Sequence, residues 1–98
     1  MEKRTPHYRL ALVKALIQEG KVRITATAAQ GGASLGFDLP GIVEVALALE
    51  LTDFQKSMTT YADHRIWQDV YHPVAELAEI YLKLTVIDGV VIVSFKEL

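Results

Sequence analysis

Histidine is the side chain that most often moves protons near neutral pH, and this chain has three, at His7, His64 and His72. His7 stands at the start of a predicted helix, His64 in a predicted hairpin loop, and His72 directly before Pro73. This spread offers no obvious pair of acid and base. Surface or capping roles are favoured for His64 and His72.

Metal and nucleotide sites are incomplete in the sequence. The absence of cysteine excludes thiolate nucleophiles, disulfides and Cys-ligated zinc. Asp63-His64, and Asp69 with His72, bring possible ligands near one another, but they fall short of a closed metal site. The glycines of residues 31–36 lack the spacing and the lysine of a phosphate-binding loop. We therefore predict no metal and no cofactor.

The last predicted hairpin brings a tyrosine and a lysine together. The dipeptide Asp88-Gly89 has the residue types of a two-residue type I′ turn, in which both positions have φ > 0. Such a turn sets Ile87 opposite Val90. Counting outwards along the two strands then places Tyr81 opposite Lys96.

Side chains alternate along strands, which divides this hairpin into two faces. The predicted polar face contains Tyr81, Lys83, Thr85, Ser94 and Lys96, with Lys83 opposite Ser94. The predicted core face contains Ile80, Leu82, Leu84, Val86, Val91, Val93 and Phe95. A polar face is the ordinary outcome for a half-buried sheet, so the pattern alone does not require a function.

Helices come first along the chain. Thr5 is the predicted N-cap and Pro6 the first residue of a helix that ends at Gly20. A short strand over residues 21–24 and a second helix over residues 25–35, interrupted by its two glycines, follow. A third helix is predicted to begin at its capping residue, Asp38. Its apolar residues lie on most of its sides, which favours burial over the alternative of a partner-binding surface.

Four strands follow, and the chain is predicted to form one α+β domain over residues 1–98. The strands cover residues 55–61, 66–72, 79–87 and 90–97. Since most of the connections between them are short, we expect a mainly antiparallel sheet with the helices on one face. The charged N-terminus and the lack of an apolar run of ~18 residues predict a soluble, cytoplasmic protein.

Several separated blocks resemble the toxins of the motility quorum-sensing regulator (MqsR) family in order and spacing. These blocks are residues 1–7, 56–61, 63–64, 66–71, 81–83 and 93–97. The resemblance covers the chain from end to end and is weakest between Arg23 and Leu51. It implies a RelE-like fold, with a curved sheet of about four to five strands. It also implies metal-independent cleavage of mRNA, in the family preferentially at GCU. The implied partner is a cognate antitoxin similar to MqsA that binds operator DNA. The toxin itself is not expected to bind DNA directly.

The same resemblance implies a set of site residues. The catalytic candidates are Lys56, Gln68, Tyr81 and Lys96, and the substrate-binding candidates are Met58, His7 and Lys83. Cleavage through the ribose 2′-OH needs a proton acceptor, a proton donor and positive charge around the phosphorus. Tyr81 would exchange the proton beside the ammonium groups of Lys56 and Lys96. The two lysines would also hold the phosphate, and Gln68 would orient that phosphate.

Two features depart from the family. Asp88 stands where relatives often carry His, and the net charge of -2 is acidic for a protein that binds phosphates. Any RNA site must therefore be a local basic patch. Two alternatives to an enzyme remain: a silent relative that only binds an antitoxin or ribosome, and an interaction protein that recruits a partner through the apolar helix at residues 41–51.

Overall fold

The computed structural model describes residues 1–98, which form three helices and seven strands, and five of the strands follow the last helix. The helices are α1 (Leu10–Gln18), α2 (Ala26–Ser34) and α3 (Leu39–Leu47), followed by a 3₁₀ turn at Leu51–Asp53. The strands are β1 (Glu2–Lys3), β2 (Val22–Ile24), β3 (Phe54–Thr59), β4 (Trp67–Tyr71), β5 (Val74–Ala75), β6 (Ala78–Val86) and β7 (Val90–Glu97). No helix has both the length and the apolar character needed to cross a membrane.

The main sheet has the strand order β1-β3-β4-β6-β7-β2, and β5 pairs separately with β6. All pairs are antiparallel except β2 with β7. The helices pack on one face of this curved sheet, so the predicted α+β fold is confirmed. The two-residue strands β1 and β5 had no counterpart in the sequence prediction.

One apolar core joins the helices to the sheet. Its largest fully buried side chains include Ile42 and Leu49 from the α3 region, and Tyr71, Leu82 and Phe95 from the strands. The buried side of α3 therefore confirms the prediction that this helix belongs to the core. Full burial of an aliphatic or aromatic side chain contributes about 1.5–3 kcal/mol, so this layer dominates the folding free energy.

The first helix begins later than residues 5–6, where the sequence predicted it. Helix α1 starts after Arg9, whose side chain makes no capping hydrogen bond. The reason is the carboxylate of Asp69, which accepts hydrogen bonds from the backbone N–H groups of His7 (3.1 Å) and Tyr8 (3.0 Å). These bonds hold the preceding segment out of helical conformation. The helix ends before Gly20, which has a φ of 80°, as predicted.

The two glycines of α2 do not interrupt it, contrary to the prediction. Helix α2 runs unbroken from its N-cap Thr25, whose hydroxyl accepts from the N–H of Ala28. A Cβ at Gly31 would lie 1.8 Å from the carbonyl oxygen of Phe95. The glycines therefore serve close packing of the helix backbone against β7.

The β6–β7 hairpin differs from its predicted register near the turn. Val86, not Ile87, is the partner of the predicted strand residue Val90, so the connection has three residues. Asp88 and Gly89 have positive φ angles of 53° and 120°, as predicted. Farther out a β-bulge leaves Val93 without a Cα partner and restores the predicted pairing of the outer residues.

This bulge changes which β7 side chains face the helices. Val90 and Ile92 belong to the core cluster, whereas the predicted core residues Val91 and Val93 do not. Because a register change of one residue turns side chains to the other face, the wrong turn length produced the wrong faces. Beyond the bulge, Phe95 lies in the core as predicted.

Candidate active site

The face of the sheet turned away from the helices presents a row of partners across four strands. Lys56 on β3 pairs with Val70 on β4, Val70 pairs with Lys83 on β6, and Lys83 pairs with Ser94 on β7. Directly paired residues lie on the same face of a sheet. Two of the sequence-predicted lysines are therefore brought onto one surface from strands that are distant in sequence.

Two further pairs extend this surface, which we call the lysine face. Met58 pairs with Gln68 at the β3–β4 end, and Tyr81 pairs with Lys96 on β6 and β7. Alternation along each strand puts these residues on the same side as the row above. The lysine face thus carries six of the seven candidate residues: Lys56, Met58, Gln68, Tyr81, Lys83 and Lys96.

Tyr81 is half-buried and has two basic side chains nearby. The ammonium group of Lys96 lies 5.1 Å from the centroid of the Tyr81 ring. The centroid of the His72 ring lies 5.8 Å from that of Tyr81. A cation above a tyrosine ring is attracted by the negative face of the ring. A phenol that exchanges a proton here would have positive charge close by.

Lys83 is a second half-buried group of this face. Burial, and then the positive charge of Lys96, lower the pKa of the Lys83 ammonium group. Both effects penalise the charged form, and a bound phosphate would relieve them by supplying the missing counter-charge. The Lys83–Lys96 pair is accordingly suited to an anionic ligand.

Lys56 already has a carboxylate partner. Its Nζ donates to Oε1 of Glu2 over 3.1 Å, and the Lys56 side chain is 35% exposed. The hydrogen bond from Lys56, and next its charge, lower the pKa of Glu2. Glu2 reaches this position because β1 pairs with β3, which sets it beside Met58. One acid therefore borders the lysine face at the sheet edge.

His7, the seventh candidate, lies on the opposite side of the sheet. Its ring stacks on Trp67 at a centroid distance of 5.1 Å and an angle of 11°. Trp67 precedes Gln68 in β4, so the two side chains point to opposite faces. Burial first, and the charge of Lys3 second, lower the pKa of His7, while Asp69 opposes them. The structure does not bring His7 to the lysine face.

Two neighbours of the candidate residues were missed from the sequence. His72 was predicted to have a surface or capping role, but it lies beside Tyr81. Its alternation with Gln68 and Val70 could have predicted that it shares their face of the sheet. Glu2 had no such signal, because a two-residue strand leaves no pattern.

No group of three or more His, Cys, Asp or Glu side chains is arranged to hold a metal ion. The chemistry that the lysine face itself offers is binding and charge stabilisation of a phosphate, with the phenol of Tyr81 on the face and the imidazole of His72 beside it. Those are the components of nucleophilic cleavage at a phosphodiester.

Comparison with known proteins gives two findings. Residues 5–97 match the family described as "Motility quorum-sensing regulator, toxin of MqsA". The chain is also similar to the mRNA interferase toxin MqsR of Escherichia coli (strain K12), with 55% identity over 97 residues, which cover 99% of each chain.

Proposed function

The chain belongs to the family of motility quorum-sensing regulators, the toxins of MqsA, and from this premise we propose that it is a toxin that cleaves messenger RNA. The similarity to an mRNA interferase toxin along the full chain supports an endoribonuclease. The finer parts of the proposal are independence from metal ions, a preference for GCU, a site in the cytoplasm, and inhibition by an antitoxin similar to MqsA.

The observation that carries the proposal is the register of the lysine face. Lys56, Lys83 and Lys96 come from three strands to one surface, with Tyr81 among them. The chain therefore presents a local positive surface although its net charge is -2. Phosphate binding depends on the cations that a phosphate meets, and not on the net charge of the protein.

The reaction follows from what an RNA phosphodiester needs. The 2′-oxygen attacks the adjacent phosphorus and loses its proton, the bond to the 5′-oxygen breaks, and that oxygen takes up a proton. In our proposal Lys56 and Lys96 stabilise the extra negative charge on the phosphoryl oxygens as they approach the transition state. Tyr81 exchanges the proton, Gln68 orients the phosphate through its amide, and Lys83 binds a phosphate.

Met58 and Asp88 are the residues that bear on base preference and RNA affinity. Met58 lies beside Gln68 and offers an apolar surface on which a base can pack. Asp88 lies exposed in the β6–β7 turn, roughly 20 Å along the strand from Tyr81 at ~3.3 Å per residue. A carboxylate there repels RNA that extends past the turn, so we expect it to affect affinity and not the chemical step.

Cleavage of defined RNAs by the purified chain tests this proposal. Wild type is expected to cut an RNA that contains GCU, in the presence of a chelator, and to leave a matched RNA without GCU intact. Tyr81→Phe and Lys56→Ala should each lower the rate by about 10² or more, because each removes a group that acts on the phosphate or its proton. The unfolding free energy should change by less than about 0.5 kcal/mol, as for other surface changes.

Matched controls are Tyr61→Phe and Lys21→Ala, which alter a fully exposed tyrosine of the β3–β4 loop and an exposed lysine that pairs with Glu19. Both should cleave like wild type. If the folded wild-type protein leaves every RNA intact, the chain is a binding-only relative and the proposed enzyme is wrong. If only the chelator stops cleavage, metal independence is wrong.

A further inference from the structure

The segment of residues 3–9, which we call the N-terminal arm, carries an aromatic stack on the face opposite the lysine face. The exposed ring of His7 lies flat against Trp67, with centroids 5.1 Å apart. The ammonium group of Lys3 lies 4.3 Å from the Trp67 ring centroid and 2.9 Å from Nδ1 of His7. The arm is held there by the two backbone hydrogen bonds to Asp69. This arrangement has no part in the proposed cleavage chemistry.

The arm is also a concentration of positive charge. Lys3, Arg4 and Arg9 form none of the ion pairs in the structure, which join Lys21 to Glu19, Lys56 to Glu2 and Arg65 to Asp63. Arg4 and Arg9 are exposed. Three cations without an ion-paired carboxylate within seven residues stand out in a chain with a net charge of -2. Such a segment attracts a polyanion.

Flat aromatic rings beside cations bind one kind of polyanion in particular. Single-stranded RNA presents unstacked bases, which stack on aromatic side chains, and phosphates, which pair with Lys and Arg. An acidic peptide would use the cations but would leave the exposed His7 ring without a role. The combination therefore favours RNA.

Strand β1 connects this surface to the lysine face. Glu2 lies beside Met58, and the next residue, Lys3, lies beside Ser57. Consecutive strand residues point to opposite faces, and β1 is the edge of the sheet, so the two surfaces meet at that edge. A single RNA strand can pass from one to the other without crossing the protein.

We infer that the N-terminal arm is a second RNA-binding subsite, which takes a base and phosphates that flank the cleaved sequence and lie beyond the β1 edge. The inference rests on the proposed function, because it takes the RNA on the lysine face as its starting point. The arm binds RNA and does not act on the scissile phosphate. Its contribution therefore appears only with RNA long enough to reach it.

RNA length is the variable that tests this inference. The variants Lys3→Gln and Arg9→Gln are compared with wild type on a short RNA that carries only the cleaved sequence, and on longer RNAs extended on the 5′ side, the 3′ side or both. For an extended RNA we expect each variant to raise KM about three- to ten-fold, with kcat unchanged. For the short RNA we expect no change. Lys21→Gln, on a different surface, should match wild type on every RNA.

A binding measurement separates this inference from the proposed function. The dissociation constants of extended RNAs with 2′-O-methyl groups, which cannot be cleaved, should rise for both arm variants, and the salt dependence should become shallower by about 0.7 for each lost phosphate contact. If both variants bind the extended RNA like wild type, or lose short and extended RNA equally, the subsite is wrong even though wild type cleaves. If wild type does not cleave but the variants still weaken binding, only the cleavage proposal is wrong. Circular dichroism and the melting temperature show whether Lys3→Gln has detached the arm. If it has, Arg9→Gln, which lies outside the aromatic stack, decides whether the arm binds RNA.

Discussion

Tyr71 and Tyr81 show how the two faces of one sheet give the same residue type different properties. Tyr81 is half-buried among basic groups on the lysine face. Tyr71 is fully buried in the core, and its hydroxyl has no hydrogen-bond partner. Burial, followed by the charges of Asp69 and Asp53, raises the pKa of Tyr71 to about 12. A tyrosinate is thus strongly disfavoured at this position.

The buried hydroxyl of Tyr71 makes stability depend on alkaline pH. The unfolded chain ionises this phenol near its ordinary pKa of ~10, whereas the folded chain resists ionisation up to about 12. Below pH 10 this phenol therefore does not reduce the free energy of unfolding. As the pH rises from 10 towards 12, the free energy of unfolding falls by roughly 2–3 kcal/mol. Urea unfolding at a series of pH values measures it.

Tyr71→Phe should reduce this alkaline loss and should leave stability at neutral pH unchanged or slightly higher, because the hydroxyl has no partner to lose. Tyr61→Phe is the control, since Tyr61 is fully exposed. An alkaline loss that is the same in wild type and Tyr71→Phe would contradict the argument.

At the scale of elements, α2 depends on having no side chain where it crosses β7. A Cβ at Gly31 would meet the carbonyl oxygen and carbon of Phe95 at 1.8 and 3.0 Å, both of them backbone atoms. One at Gly32 would lie 2.4 Å from Cδ1 of Ile42, which links α2 to α3. Helix propensity, which disfavours glycine, is overridden here by packing.

Gly31→Ala is expected to destabilise the protein by about 2 kcal/mol or more, although alanine is the better helix former by about 1 kcal/mol. The helix would have to move away from β7, since backbone cannot yield as a flexible side chain does. Chemical denaturation measures the change. Gln30→Ala, at the exposed neighbouring position, should change stability by less than about 0.5 kcal/mol. Equal stability of Gly31→Ala and wild type would show that the close approach is not required.

At the scale of the whole molecule, several cations are concentrated on two surfaces. Lys56, Lys83 and Lys96 lie on the lysine face, and further cations lie on the N-terminal arm. Acidic residues such as Asp38 and Glu44 lie instead around α3, on the helical side. A net charge of -2 therefore hides two positive regions.

The salt dependence of RNA binding distinguishes local charge from net charge. If the lysine face governs binding, the affinity for an uncleavable RNA falls as salt rises. The reason is that lysines release the counterions condensed on the RNA phosphates, and this release is less favourable at high salt. If the net negative charge governed it, salt would screen the repulsion and affinity would rise. We expect the first sign, and Lys96→Gln should make the slope shallower by about 0.7.

The sequence by itself determined the order of the main helices and strands and the α+β class, which depend on local patterns of apolar spacing and alternation. Its prediction that Tyr81 pairs with Lys96 is correct because the β-bulge at Val93 offsets the extra residue in the turn. The family resemblance added Lys56, Gln68 and Met58, which alternation alone could not connect to Tyr81.

Only the tertiary structure decided the start of α1, the faces of β7 and the position of His7. Asp69, which is 62 residues from His7 and 61 from Tyr8 in the chain, holds the segment that was predicted to be helical. A bulge at Val93 turned the predicted core side chains of β7 outward. Strand β1 brought Glu2 to the lysine face and the N-terminal arm to the other. Each outcome depends on a contact between residues far apart in sequence, and local propensities carry no record of such contacts.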